Sequence, residues 1–345
     1  MSRGAILRFA LLVGAAVAAV GLAFAIVPRA AGSPQRAAWR ALYHRPAGIP
    51  FPDDDPYSKA KDDLGRMLFF DPILSGARDR SCASCHNPGL SWGDGLPKAI
   101  GEKPLTLRSP TLYNLAWSEV LGWDGKFRGL ENVAFAPIMS PANMNGKEDA
   151  VIAAVAAIPG YRTAFAAAFP EDPVPSRKTI EAALATFERT LVSGEAPFDR
   201  WIAGDETAIG EAAKRGFDLF NGKGRCAECH SGWNFTDGSF HDIGTATGDD
   251  IGRARLFRNT VKLRYAFKVP TLRDVARRAP YMHDGSEPTL EAVIDLYDRG
   301  GIDRPSRSEL IQPLGLSAQE KADLIAFLDT LTGKPEPFAE PVLPR

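Results

Sequence analysis

Cys82-Ala83-Ser84-Cys85-His86 and Cys226-Ala227-Glu228-Cys229-His230 are the two stretches that decide how this 345-residue chain is read. In each, two spaced thiols can form thioethers with the vinyl groups of a haem, and the adjacent imidazole then reaches the iron. The competing readings are a redox Cys-x-x-Cys and half a zinc site. A zinc site needs four ligands at matched spacing, and a redox pair has no use for the following histidine. These four cysteines are all the cysteines in the chain, so no structural disulfide is available. The expected cofactors are therefore two covalent c-type haems, held by Cys82, Cys85, Cys226 and Cys229. His86 and His230 are the expected proximal iron ligands.

The sequence around the two motifs repeats. Gly65-Arg66-Met67-Leu68-Phe69 precedes the first and Gly216-Phe217-Asp218-Leu219-Phe220 the second. Asp94-Gly95 and Asp237-Gly238 follow the respective histidines. Pro110-Thr111-Leu112 leads to Asp124-Gly125 and Leu130-Glu131 at the same spacing with which Pro270-Thr271-Leu272 leads to Asp284-Gly285 and Leu290-Glu291. Two helix starts could coincide by chance, but agreement at this many fixed positions points to a duplicated haem-binding unit. Apolar residues recur at three and four positions, as in Leu64, Met67 and Leu68, or Leu324, Phe327 and Leu328. That period indicates helices, and alternating strand patterns are scarce.

The face of each haem opposite its proximal histidine decides the chemistry, because a closed sixth position favours electron transfer and an open one admits peroxide. The only other histidines are His44, His241 and His283, and none lies between His86 and His230. Met139 and Met144 are ligand candidates with a core-packing alternative. Six residues past the paired Glu131 and Glu291 stand Pro137 and Tyr297. Proline has no ligating atom, whereas a phenol oxygen is a known haem ligand. Tyr297 also continues the stripe Leu290, Val293, Ile294, which leaves an ordinary packing role open. Glu131 either caps a helix start or moves a peroxide proton during O–O cleavage as a catalytic group.

Charged residues make up 24% and hydrophobic ones 45%, as in a globular protein with a sizeable core. The net charge of −1 gives no sign of a nucleic-acid partner. Arg3 and Arg8 precede an uncharged run from Phe9 to Val27 that contains Ala23-Phe24-Ala25, a small-x-small cleavage pattern. Residues 1–27 are read as a signal peptide or an uncleaved anchor, which places the remainder in the periplasm. Residues 28–57 read as a Pro-rich tether, 58–200 as a first haem domain, 201–332 as a second, and 333–345 as a Pro-rich tail.

With these residues in view, the chain resembles the MauG and bacterial di-haem cytochrome c peroxidase family from Leu64 to Thr332. The landmarks are the two haem motifs, Trp123-Asp124-Gly125 with Leu130-Glu131, Arg189-Thr190-Leu191 with Pro197-Phe198-Asp199-Arg200, and Pro280-Tyr281-Met282-His283-Asp284-Gly285. The resemblance implies an all-α fold of two cytochrome c-like domains, with hydrogen peroxide reacting at the first haem and electrons passing through the second. Family peroxidases place a Met fourteen residues after the His that here is His283; Tyr297 stands there, as a Tyr does in MauG. The loop of residues 87–108 lacks the distal His found in many of those peroxidases. Both departures point toward MauG.

Three other departures limit the carry-over. Leu121 replaces a distal-pocket Gln, no Trp occurs among residues 220–225 to match the surface Trp of MauG, and Arg108 replaces an Asn that ligates an interdomain calcium. The other family calcium ligands correspond to the backbone carbonyls of Arg278 and Pro280. The expected function is MauG-like oxidation of a protein substrate by peroxide. Its partner is a small cytochrome, a copper protein or a tryptophan-bearing protein. The rival readings are a peroxide-detoxifying cytochrome c peroxidase and a non-enzymatic electron carrier.

Overall fold

The computed structural model describes residues 34–334 and 337–345. Helices α1 (Pro34–Ala41) and α2 (Lys59–Phe70) precede the first Cys-x-x-Cys-His turn. Four follow it: α3 (Phe135–Met139), α4 (Glu148–Ala157), α5 (Pro159–Ala168) and α6 (Arg177–Thr190). Helices α7 (Pro197–Ile202) and α8 (Glu211–Asn221) lead to the second turn, and α9 (Leu290–Arg299) and α10 (Ala318–Asp329) complete the α-helices among the described residues. The described residues form only two short antiparallel ladders, β1 (Val120–Leu121) with β2 (Phe127–Arg128) and β3 (Phe240–His241) with β4 (Phe267–Lys268). The all-α class thus holds.

Each repeat builds one helix crossing. Ser58 caps α2 by accepting from the Lys61 backbone N–H, and Ser176 and Ser317 start α6 and α10 with capping boxes. A cap of this kind stabilises a helix by about 1 kcal/mol. Helix α2 packs on α6 and α8 on α10. At the first crossing a Cβ on Gly65 would collide with the Ala183 carbonyl and the Phe187 side chain; at the second, one on Gly216 would collide with the Asp323 carbonyl and Phe327. The repeated Gly is thus the residue that lets two backbones touch. The repeated Phe then fills the core beside it: Phe69 packs edge-on to Phe187, and Phe220 to Phe327.

Two cores result. The first gathers Leu64, Leu68, Phe69, Trp92, Phe135 and Phe187, the second Phe198, Trp201, Phe217, Phe220, Phe235 and Phe327. Pro197–Ile202 sends Phe198 and Trp201 into the second core. The reading of residues 28–57 as a tether is corrected for its described part. Pro34–Ala41 is helical, Arg36 pairs with Asp218, and Tyr43 is buried against Phe198, Phe217 and Phe235. The tail also packs: Phe338 stacks on Phe70 at 5.1 Å and meets Trp92 edge-on in the first domain. The signal peptide or anchor expected at residues 1–27 lies outside the described residues. Among the described residues no single helix is long and apolar enough to cross a membrane.

Candidate haem sites

Both Cys-x-x-Cys-His segments fold as the same tight turn, with the His86 N–H donating to the Cys82 carbonyl and the His230 N–H to the Cys226 carbonyl, each at 2.9 Å. His86 Nδ1 lies 3.1 Å from the Trp92 carbonyl and His230 Nδ1 2.9 Å from the Phe235 carbonyl. A carbonyl only accepts, so Nδ1 carries the proton and Nε2 keeps its lone pair for a metal. Burial lowers both imidazole pKa values and keeps them neutral, as ligation requires. All four thiols are free, and burial pushes those of Cys82 and Cys226 up to about 12. Buried guanidinium N–H groups of Arg66, Arg108, Arg189, Arg273 and Arg278 lack protein acceptors, which suits a group that brings carboxylates of its own. These donors fit a covalent haem at each turn. Cys229, Asp237 and His241 lie close enough to share a cation, but three ligands fall short of a structural zinc site.

The two sites differ on their opposite faces. Helix α9 starts at Thr289, whose hydroxyl accepts from the Ala292 N–H, and ends at Gly300 in a left-handed conformation. Tyr297 therefore sits on its last turn. Its phenol is half-buried and close enough to Cys226 and Cys229 to feel their charge; burial first, and then those thiols, raise its pKa. The equivalent residue of the first unit, Pro137, lies on the short helix α3. Met144 is in the first core and Met139 is exposed, so core packing describes the former and not the latter. His44 is exposed, while His283 is buried with Nε2 held by Asp250 at 2.8 Å and its ring stacked on Phe267.

Glu131 follows Gly129, whose φ of 72° turns the chain into the short helical segment Leu130–Asn132. Its Oε1 is 2.5 Å from Arg189 Nη2 on α6. Arg189 is buried, and Leu121, Leu130 and Ala185 form an apolar cluster in the same region. Sequence reasoning passed over Glu188, the residue before Arg189. Burial pushes its carboxyl up to about 8; Arg189 opposes that and the Glu131 charge adds to it. The charge of Glu188 in turn raises the Cys82 pKa. Its only sequence signal is its place in Glu188-Arg189-Thr190-Leu191.

The folded pKa of Glu188 lies above the unfolded one, so the folded chain binds the extra proton between them. The stability contributed by that proton is complete below about 4.5 and lost as pH rises through about 8. We expect the urea midpoint of the haem-loaded protein to fall across this window and Glu188→Gln to flatten the fall. Equal slopes in the two proteins would count against the assignment.

Arg108 closes the junction between the domains. Its Nη2 donates to the Arg278 carbonyl at 3.0 Å, and its own carbonyl accepts from Trp123 Nε1 at 3.0 Å. The Arg278 carbonyl expected to ligate calcium is thus already engaged by a guanidinium.

Fold and sites together define a di-haem c-type cytochrome with two unlike haem positions, a haem-dependent oxidoreductase. Residues 59–207 match the family model described as di-haem cytochrome c peroxidase, and residues 213–332 match that of cytochrome c. The chain belongs to the MauG and di-haem cytochrome c peroxidase family. It is 51% identical over 312 residues to the methylamine utilization protein MauG of Methylorubrum extorquens, covering 89% of this chain and 88% of that one. To the MauG of Methylophilus methylotrophus it is 44% identical, covering 89% and 92%. A solved MauG-like protein associated with microbial copper homeostasis superposes with a TM-score of 0.78 at 33% identity, covering 84% of this chain and 94% of that one.

Proposed function

We propose that this enzyme uses hydrogen peroxide at the Cys82/Cys85/His86 haem site and draws electrons from a protein substrate through the Cys226/Cys229/His230 site, in the manner of MauG. The observation that carries the reading is the asymmetry at one repeat position: Tyr297, its phenol facing the second pair of thiols, against Pro137 in the first unit. A bound haem supplies iron that accepts a peroxide oxygen and passes electrons. His86 and His230 would each supply a neutral imidazole Nε2 to the iron of its haem. Tyr297 would offer the second site an oxygen donor, whereas Pro137 at the equivalent position offers the first none.

At the first site Arg189 fixes the Glu131 carboxyl, which takes the proton from the attacking oxygen and returns it to the leaving one. Glu188, protonated at neutral pH by its burial, stands behind the same pair. Leu121 and its apolar neighbours exclude water beside them.

The electron partner is a small cytochrome, a copper protein or a protein bearing an oxidisable tryptophan. Calcium is not part of this reading. The reading places the enzyme in the periplasm, released from its N-terminal segment or held by it.

Stopped-flow mixing of the loaded enzyme with peroxide, with and without a reduced small cytochrome c, tests the proposal. The expected result is a fast spectral change at both haems without reductant and slow turnover with it. Fast, sustained oxidation of the cytochrome would instead identify a scavenging peroxidase.

A further inference from the structure

The junction of the two haem domains holds the guanidinium of Arg108. Calcium binds through six to eight oxygen ligands. In this chain the matching positions are the carbonyls of Arg278 and Pro280 and the side chain of residue 108. An arginine there has five donors and no acceptor, so it cannot ligate a metal. It also holds a positive charge at the oxygen a metal would approach, because Nη2 donates to the Arg278 carbonyl at 3.0 Å. The residue is held at two further points: its backbone N–H donates to the His283 carbonyl at 2.9 Å and its carbonyl accepts from Trp123 Nε1. Trp123 in turn accepts at its carbonyl from the Lys268 N–H at 2.8 Å. One arginine thereby joins the first-domain loops at residues 108 and 123 to the second-domain loop of residues 278–283.

The local charge agrees. Arg278, pushed down to about 10 by burial, donates to the Thr271 carbonyl at 2.5 Å and lies near enough to Arg108 for like-charge repulsion to lower it further. The opposing carboxylates in reach are Asp94, which raises Arg108, and Asp274, which raises Arg278. Tyr281 and Tyr113 are the remaining titratable neighbours. A divalent cation at this point would lie against the Arg108 guanidinium, with that of Arg278 close by, and would be repelled by both.

We propose that the Arg108 guanidinium replaces the interdomain calcium ion, as a cation built into the chain, and that the holoenzyme holds its two haem domains together without a divalent metal. A guanidinium cannot be removed by chelators or diluted away, so the junction of this protein is insensitive to calcium.

The test uses the haem-loaded full-length enzyme and readouts other than peroxide turnover. After excess chelator and desalting, wild type is expected to contain no stoichiometric calcium and to keep its Tm and resting haem spectrum, with no response to millimolar calcium. Arg108→Asn restores an oxygen ligand and removes the guanidinium. Its Tm is expected to fall by about 3–6 °C, the loss of one charged hydrogen bond, and calcium is expected to recover it. The proposal is overturned if wild type retains one calcium per chain through desalting or loses Tm or spectrum on chelation. It is equally overturned if calcium-free Arg108→Asn melts with wild type. The wild-type chelation arm decides the matter even if the variant does not accumulate.

Discussion

Glu131→Gln is expected to slow the reaction with peroxide by roughly 10²–10⁴-fold, the usual contribution of general acid–base assistance, with both haems still attached. Glutamine keeps the shape of the side chain, and its carbonyl oxygen can stand where the carboxylate Oε1 stands, 2.5 Å from Arg189 Nη2. The Leu121–Leu130–Ala185 cluster is untouched. What the amide lacks is a site that takes a proton and gives it back. Single-turnover mixing with peroxide measures the rate, and a pyridine haemochrome assay measures the haem content. An unchanged rate at full haem content would reduce Glu131 to a partner for Arg189. The apolar surroundings set the expectation for wild type too: with Leu121 where relatives carry a Gln, fewer polar groups meet the peroxide. Removing the single carboxylate should then leave little assistance behind.

What could be read from the sequence follows from which features are local. The four cysteines and two histidines carry their chemistry in five residues each, and the structure folds both segments as the same turn. The repeat was equally legible because Gly65 and Gly216 occupy positions where only a missing Cβ lets α2 meet α6 and α8 meet α10. Tyr43 and Phe338 were not legible. Each is an isolated aromatic in a Pro-rich segment without periodicity, and its partners, Phe217 for one and Phe70 for the other, lie far away in the chain. Glu188 was missed because a charge on an amphipathic helix reads as a solvated face; only the burial of its carboxyl in the fold shows that it turns inward. Arg108 was recognised as a departure, but that its guanidinium meets the Arg278 carbonyl is a fact of two loops 170 residues apart.

Tyr297→Phe is expected to abolish the low-spin signal of the second haem in electron paramagnetic resonance while leaving the first unchanged. Tyr297 is on the final turn of α9, and Leu290 and Ile294 on the same helix are buried in the second core. Phenylalanine keeps the ring and therefore the packing, so loss of stability should stay small; only the oxygen facing Cys226 and Cys229 disappears. A phenolate donates charge to ferric iron and holds its potential down, whereas a thioether is neutral. Tyr297→Met is therefore expected to raise the second potential and to speed oxidation of a reduced small cytochrome c, moving the enzyme toward peroxidase turnover. The pKa of the free phenol is raised by burial, so a neutral phenol would stay protonated at every working pH and bind iron weakly. Ligation must displace that proton, and a bound ferric ion supplies the positive charge that favours its loss. Redox titration and resonance spectra of wild type and both variants separate the cases. If Tyr297→Phe leaves the low-spin signal and both potentials where they were, Tyr297 is a packing residue, and the asymmetry between the two haems must come from elsewhere in the fold.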